Sequence, residues 1–319
     1  MRNELEAVIR EIEKAIIGKR TVIEKILMAM LADGHILLDD VPGVGKTTLA
    51  AAIARALGMT NRRIQFTPDV LPSDIVGFSI YEKESGRFVY RLGILKGANL
   101  LLADEINRTS ARTQSALLEA MEERQVTVDG ETYPLEKPFL VIATENNVGA
   151  SGTQHLPYAQ IDRFLVRLSI GYPDHESQLA MLRGQHHHGP LDRVQPVLNK
   201  DSFLAMQQSV RTVTVQDNVL DYISRLALAS RELDTIEIGV SPRCAIHLEH
   251  TAMAKAWMSG RDYVTGADVR DVFIDVCAHR LLLTAKAKAE ELTPVTILRE
   301  LLDTVKNPDL SQDKGKGMR

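Results

Sequence analysis

The chain is poor in cysteine: Cys244 and Cys277 are the only two in 319 residues. They are far apart and lack the spacing of a metal cluster, which leaves no disulfide framework and predicts two reduced thiols in a reducing compartment. No apolar run approaches the roughly 18 residues of a membrane span, so membrane insertion is not expected. The start, Met1-Arg2-Asn3-Glu4-Leu5-Glu6, is acidic and amphipathic rather than basic and then apolar, unlike a secretory signal. These absences predict a cytoplasmic protein. An excess of positive charge is also missing: the formal net charge is −4, so nothing draws the chain as a whole to nucleic acid, which is not an expected partner.

What is present is a balanced globular composition, 45% hydrophobic and 25% charged. A chain of 319 residues exceeds the common single-domain size and predicts two domains. Apolar residues recur at helical spacing over 4–31 (Leu5, Val8, Ile9, Ile12, Ile16, then Val22, Ile23, Ile26, Leu27, Met30, Leu31), broken at Ile17-Gly18-Lys19. Strands are predicted at Ile36-Leu37-Leu38, Arg63–Thr67, Leu100–Asp104, Phe139–Thr144 and Leu165–Ile170, with helices between them. That alternation gives a parallel sheet covered on both faces. Two hairpins interrupt it: Phe78–Tyr81 with Arg87–Tyr90 across a Gly86 turn, and Val126–Tyr133 around Asp129-Gly130. After Tyr172-Pro173-Asp174 the period turns helical, with helices expected near 175–186, 200–209, 215–233, 242–259, 266–283 and 294–305, and starts at Asp174, Thr214, Ser241 and Thr265. The expected domains are residues 1–173, an all-α domain at 174–306 and a disordered tail at 307–319. The run His186-His187-His188 reads as a solvated surface rather than a metal site.

The organising stretch is Asp40–Leu49, DVPGVGKTTL, between an apolar strand and a helix. Gly43 and Gly45 let backbone N–H groups of the loop, with Val44 and Thr48, wrap phosphates at a helix N-terminus; Lys46 bridges the β/γ oxygens and Thr47 offers a hydroxyl to Mg²⁺. This is a P-loop for a triphosphate. Asp40 stands where the pattern has glycine, and its carboxylate is expected to point away from the phosphates. About sixty residues on, an apolar strand ends in Asp104-Glu105. Asp104 is placed to hold Mg²⁺ and Glu105 to take a proton from, or orient, the attacking water, which predicts hydrolysis rather than transfer. Asn146, after the Phe139–Thr144 strand, can hold that water without titrating. Arg163 either stabilises the transition state with its guanidinium or pairs with Asp162 or Glu122. Arg243 follows Ser241 and Pro242 at a helix start, where a cation opposes the helix dipole and a bound anion would relieve it.

In this order, DVPGVGKTTLA, LLLADEINR, QSALLEAMEERQVTVDG, VIATENN, LPYAQIDRF and VSPR resemble the MoxR family of AAA+ ATPases, over nearly the whole chain to about residue 300. The resemblance implies a P-loop AAA+ three-layer αβα core with two inserted hairpins, followed by an all-α lid. It implies that Lys46 and Thr47 act as Walker A, Asp104 and Glu105 as Walker B, Asn146 as sensor 1, Arg163 as arginine finger and Arg243 as sensor 2, with Ile17-Gly18 packing on adenine. The hairpins would face the pore of a ring, a hexamer. Members are thought to be chaperone-like ATPases that mature or activate protein complexes, often with a von Willebrand factor A-type partner. A nucleotide-switched scaffold and a metal-chelatase-type motor subunit are the alternatives. Where members read ATQNP and LPEAQLDRF, this chain has Glu145, Asn147 and Tyr158 in place of Gln, Pro and Glu.

Overall fold

The computed structural model describes residues 1–145, 156–184 and 189–308. By its contacts the chain divides into two compact units, Met1–Met206 and Gln207–Arg319.

The first unit opens with α1 (Arg2–Glu13) and α2 (Arg20–Leu31), which bury the periodic positions Leu5, Val8, Ile9, Ile12, Ile23, Ile26 and Leu27. In chain order follow β1 (Ile36–Asp39), α3 (Lys46–Ala56), β2 (Asn61–Gln65), α4 (Pro72–Val76), β3 (Gly77–Glu82), β4 (Arg87–Leu92), β5 (Leu100–Asp104), α5 (Ala111–Glu123), β6 (Gln125–Val128), β7 (Glu131–Pro134) and β8 (Leu140–Glu145). Then come α6 (Tyr158–Ile161), β9 (Val166–Leu168) and α7 (His175–Gly184), and α8 (Lys200–Val210), within which the first unit ends at Met206.

Five strands form one parallel sheet in the order β2-β5-β8-β1-β9. Strands β5 and β8 are buried along their whole length, which is why they read as unbroken apolar runs. At the edge, β2 carries Asn61, Arg62 and Arg63 exposed, a charged rim that discourages pairing with another chain. The chain leaves β1 for the far edge, and β8 and β9 return to flank it. The crevice beyond the C-terminal end of β1 is therefore the switch point where open α/β sheets take ligands. Under this edge lies a core of Leu101, Leu117, Leu118, Met121, Phe139, Val141 and Phe164. His35 is buried at the start of β1, accepting from Val141 N–H at Nδ1 (3.0 Å) with Nε2 3.2 Å from the Met121 carbonyl. Its neutral Nε2–H form satisfies both.

The two hairpins form as expected, β3 with β4 from Gly77↔Leu92 to Glu82↔Arg87 and β6 with β7 around Asp129-Gly130, both at positive φ. They meet through stacked rings of Tyr90 and Tyr133, centroids 4.3 Å apart. The sequence places a domain end at residue 173, inside the first unit. Later backbone is tied back there: the N–H groups of Val197 and Leu198 donate to the Ala56 carbonyl (2.9 and 3.1 Å), and that of Gln195 to Glu11 Oε2 (3.0 Å).

The second unit holds α9 (Asp217–Glu232), β10 (Ile236–Ile238), α10 (Pro242–Met258), α11 (Gly266–Cys277), β11 (Leu282–Leu283), α12 (Ala285–Ala289) and α13 (Pro294–Thr304). It is helical, with one detail corrected: the helix expected over 266–283 stops at Cys277, and Leu282-Leu283 pairs antiparallel with Ile236–Ile238. The run Leu281-Leu282-Leu283 carries no period that separates strand from helix. Ser241 and Thr265 cap as predicted, accepting from Cys244 N–H and Asp268 N–H. Thr214 does not cap; it bridges to Asp262 and Val264 through backbone bonds, and α9 starts after Gln216. No helix among the described residues is long and apolar enough to cross a membrane. His186–His188 and 309–319 lie outside the described residues.

Candidate nucleotide site

The loop from Asp40 to Gly45 carries the chain from β1 into α3. Gly43 and Gly45 sit at φ +85° and +91°, where a side chain is disfavoured, and a Cβ on Gly43 would meet nothing within 4 Å. The glycines are thus demanded by backbone conformation and not by crowding. Lys46, the first residue of α3, is 9% exposed. Its ammonium donates to the carbonyls of Asp40 (2.8 Å) and Glu145 (3.3 Å), which holds it across the ends of the neighbouring strands β1 and β8. Thr47 is exposed beside it.

The Asp40 carboxylate faces the opposite way, toward the end of β9. It accepts from Ser169 Oγ (3.1 Å), Gly171 N–H (3.2 Å) and Ile170 N–H. A carboxylate is compatible with the first loop position because three donors engage it away from the loop.

Asp104 ends β5 and is 8% exposed. Thr144 Oγ1, on the adjacent β8, donates to its Oδ1 at 2.6 Å, and Arg63 of β2 donates to its Oδ2 at 2.9 Å. Glu105 lies in the left-handed region, at φ 55° and ψ 49°, a conformation that costs a non-glycine residue of order 1 kcal/mol or more. Thr144 pins that turn, accepting the Glu105 N–H at 2.8 Å. The Glu105 carboxylate meets Arg108 at 2.7 Å. One threonine hydroxyl therefore orients both acids. Reasoning from sequence missed Thr144, Arg63 and Arg108; the one available signal was a polar residue closing the apolar run of β8.

Beside the loop lies a cavity of about 290 Å³ lined by Ala15, Ile16, Ile17, Gly43, Val44, Gly45, Thr48, Pro173, Met181 and Arg193 among others. Ile17, Gly43, Val44, Gly45 and Thr48 of the predicted set line it; Lys46, Thr47 and Gly18 do not. Gly18 serves the wall differently. Its φ is +73°, and a Cβ there would fall 2.0 Å from Ser177 Oγ, so a glycine lets the break between α1 and α2 press against α7. A largely apolar slot next to a glycine loop at a helix start has the character of a site for a planar base.

Asn146 lies outside the described residues. Arg163 follows α6 and is partly buried; among the described residues its guanidinium has no ion-pair partner, so the pairing with Asp162 or Glu122 does not form. Glu145, at the end of β8, is 1% exposed and accepts from the Leu156 N–H at 3.4 Å. Arg243 belongs to the second unit, exposed in the first turn of α10 behind the Ser241 cap.

One turn along α10, His247 accepts at Nδ1 from Arg280 (2.7 Å). Burial first, then the charges of Arg280 and Arg243, push its pKa down from 6.5 to about 3. The folded chain holds it neutral, whereas the unfolded chain protonates it below pH ~6.5, so stability falls as pH drops from there toward 3. Between pH 7 and pH 5 this group is expected to remove about 2 kcal/mol. Urea unfolding of wild type and His247→Gln at both pH values measures it: the variant should lose less on acidification, and equal losses would refute the assignment.

Residues 35–166 match the ATPase family associated with various cellular activities (AAA), and residues 228–301 match the AAA lid domain. The chain is 45% identical over 300 residues to the uncharacterised protein YeaC of Bacillus subtilis, covering 94% of this chain and 93% of that one. It is 39% identical over 316 residues to the chaperone MoxR1 of Mycobacterium tuberculosis, covering 96% and 83%. A crystal structure of a candidate ATPase from Cytophaga hutchinsonii superposes with a TM-score of 0.88 at 38% identity, covering 97% of this chain and 96% of that one.

Proposed function

The chain belongs to the MoxR family of AAA+ ATPases, and from that premise we propose that it hydrolyses ATP with Mg²⁺ at the edge of the sheet beyond β1. The observation that carries this reading is the convergence of Lys46, Asp104 and Glu105 at one end of adjoining strands, with Thr144 bonded to both acids. The loop N–H groups and Lys46 take the phosphates; Lys46, already bonded to carbonyls, needs only to exchange those acceptors for phosphate oxygens. The cavity beside Ile17 and Val44 takes the adenine.

The donor set suits a hard divalent cation: the exposed Thr47 hydroxyl and the Asp104 carboxylate are oxygen ligands of the kind Mg²⁺ prefers. When bound, the ion neutralises charge on the β- and γ-phosphates. Thr144 and Arg63 keep Asp104 in one orientation for that role. Glu105 accepts a proton from the attacking water, and Asn146 holds that water. Arg163 reaches the nucleotide of the neighbouring subunit in a hexameric ring, and Arg243 reports the state of the nucleotide to the lid.

In this reading the hairpins β3–β4 and β6–β7 face the pore. The ring works in the cytoplasm on a protein substrate, maturing or activating a complex in a chaperone-like role with a von Willebrand factor A-type partner. The relative named a chaperone supports that direction. Phosphate release by the purified chain with Mg²⁺ tests the activity. Wild type should turn over, Lys46→Ala should not, and native mass with ATP should give a multiple of the 35.4 kDa chain. Equal rates from the two proteins would remove the site assignment, and a monomer at every nucleotide concentration would remove the ring.

A further inference from the structure

The two cysteines, 33 residues apart in sequence, are brought together by the second unit. Cys244 lies in the first turn of α10 and Cys277 is the last residue of α11. Their sulfurs are 3.4 Å apart and both residues are fully buried. The long pairing of α10 with α11 fixes this meeting, since the start of one helix lies against the end of the other. Beside the pair, the buried Arg280 donates to the Val276 carbonyl and to His247.

We propose that Cys244 and Cys277 are an oxidisable dithiol which a peroxide converts to a disulfide joining α10 to α11. A disulfide needs the sulfurs ~2.0 Å apart, so closure requires ~1.4 Å of approach, within reach of small side-chain rotations. The step balances. One thiol, as thiolate, attacks a peroxide oxygen; the O–O bond breaks, a sulfenic acid forms and one water leaves. The second sulfur attacks the sulfenic sulfur; the S–S bond forms and a second water leaves. Two electrons pass from the pair to one hydrogen peroxide.

Burial selects the oxidant. A molecule the size of water can reach the pair when the helix ends open locally, whereas a bulky disulfide cannot. Burial, with the Cys244 contact, also pushes the Cys277 thiol well up, partly countered by Arg280, so Cys277 stays a protonated thiol in the closed core and the thiolate that attacks forms only when the helix ends open. The bond would lock the first turn of α10, which carries Arg243. The alternative is that the thiols are only small apolar fillers.

The test treats the full chain with hydrogen peroxide until the exposed Met181 is sulfoxide, then reads tryptic peptides without reductant. The expected product is one intrachain Cys244–Cys277 peptide short of two hydrogens and restored by dithiothreitol. The unfolding midpoint of the second unit should rise by about 5–10 °C. Cys277→Ser, or Cys277→Ala where the serine does not fold, should abolish both. Intact thiols beside oxidised Met181, sulfinic acid without a cross-link, or a cross-link between chains would each overturn the proposal. None of these readouts depends on nucleotide chemistry.

Discussion

Arg163→Ala is expected to bind ATP as well as wild type does and to hydrolyse it ~10³-fold more slowly or worse, the scale of an arginine finger. Arg163 follows the short α6 and has no ion-pair partner among the described residues, so removing it leaves no buried charge unpaired and should not unfold the chain. The loss would then lie in turnover and not in stability. Action across a subunit boundary gives a further expected result. Mixing Arg163→Ala with Lys46→Ala places an intact arginine from one variant beside an intact P-loop from the other, and the mixture should exceed either alone. Unchanged turnover in Arg163→Ala would end the assignment, and a mixture no better than its parts would confine Arg163 to its own subunit.

Glu105→Gln is the second large effect: ATP stays bound while hydrolysis falls by ~10²–10⁴-fold, the range for loss of a positioned general base. Glutamine keeps the shape and the left-handed backbone but cannot take a proton. The Arg108 contact loses its ionic part, which costs little because Arg108 is half exposed. Single-turnover hydrolysis and nucleotide retention after gel filtration separate chemistry from binding. A Glu105→Gln enzyme with normal turnover would show that the water is activated by another group.

These expectations rest on parts of the molecule that were unequally legible. The parallel sheet, both hairpins and most helices could be read from period and turn chemistry, because burial on both faces makes β5 and β8 continuously apolar and Asp129-Gly130 marks its own turn. The loop glycines were equally plain, since their backbone angles exclude other residues. What failed was local: Thr214 as a cap and a helix drawn through Leu282-Leu283. In both cases the deciding contact was with distant backbone, Asp262 and Ile236–Ile238 respectively, which no window of sequence contains.

By itself the sequence determined local form: DVPGVGKTTL and Asp104-Glu105 need only their own strand, turn and helix to specify a glycine loop at a helix start and a pair of acids at a strand end. Strand order and register decided the rest. They set Thr144 between Asp104 and Glu105, turned Asp40 toward the end of β9 and spread Lys46 across two strand ends, while the pairing of α10 with α11 closed Cys244 onto Cys277. Each is a hydrogen bond or contact between residues far apart in the chain, so it exists only once the sheet or the helix pair has formed.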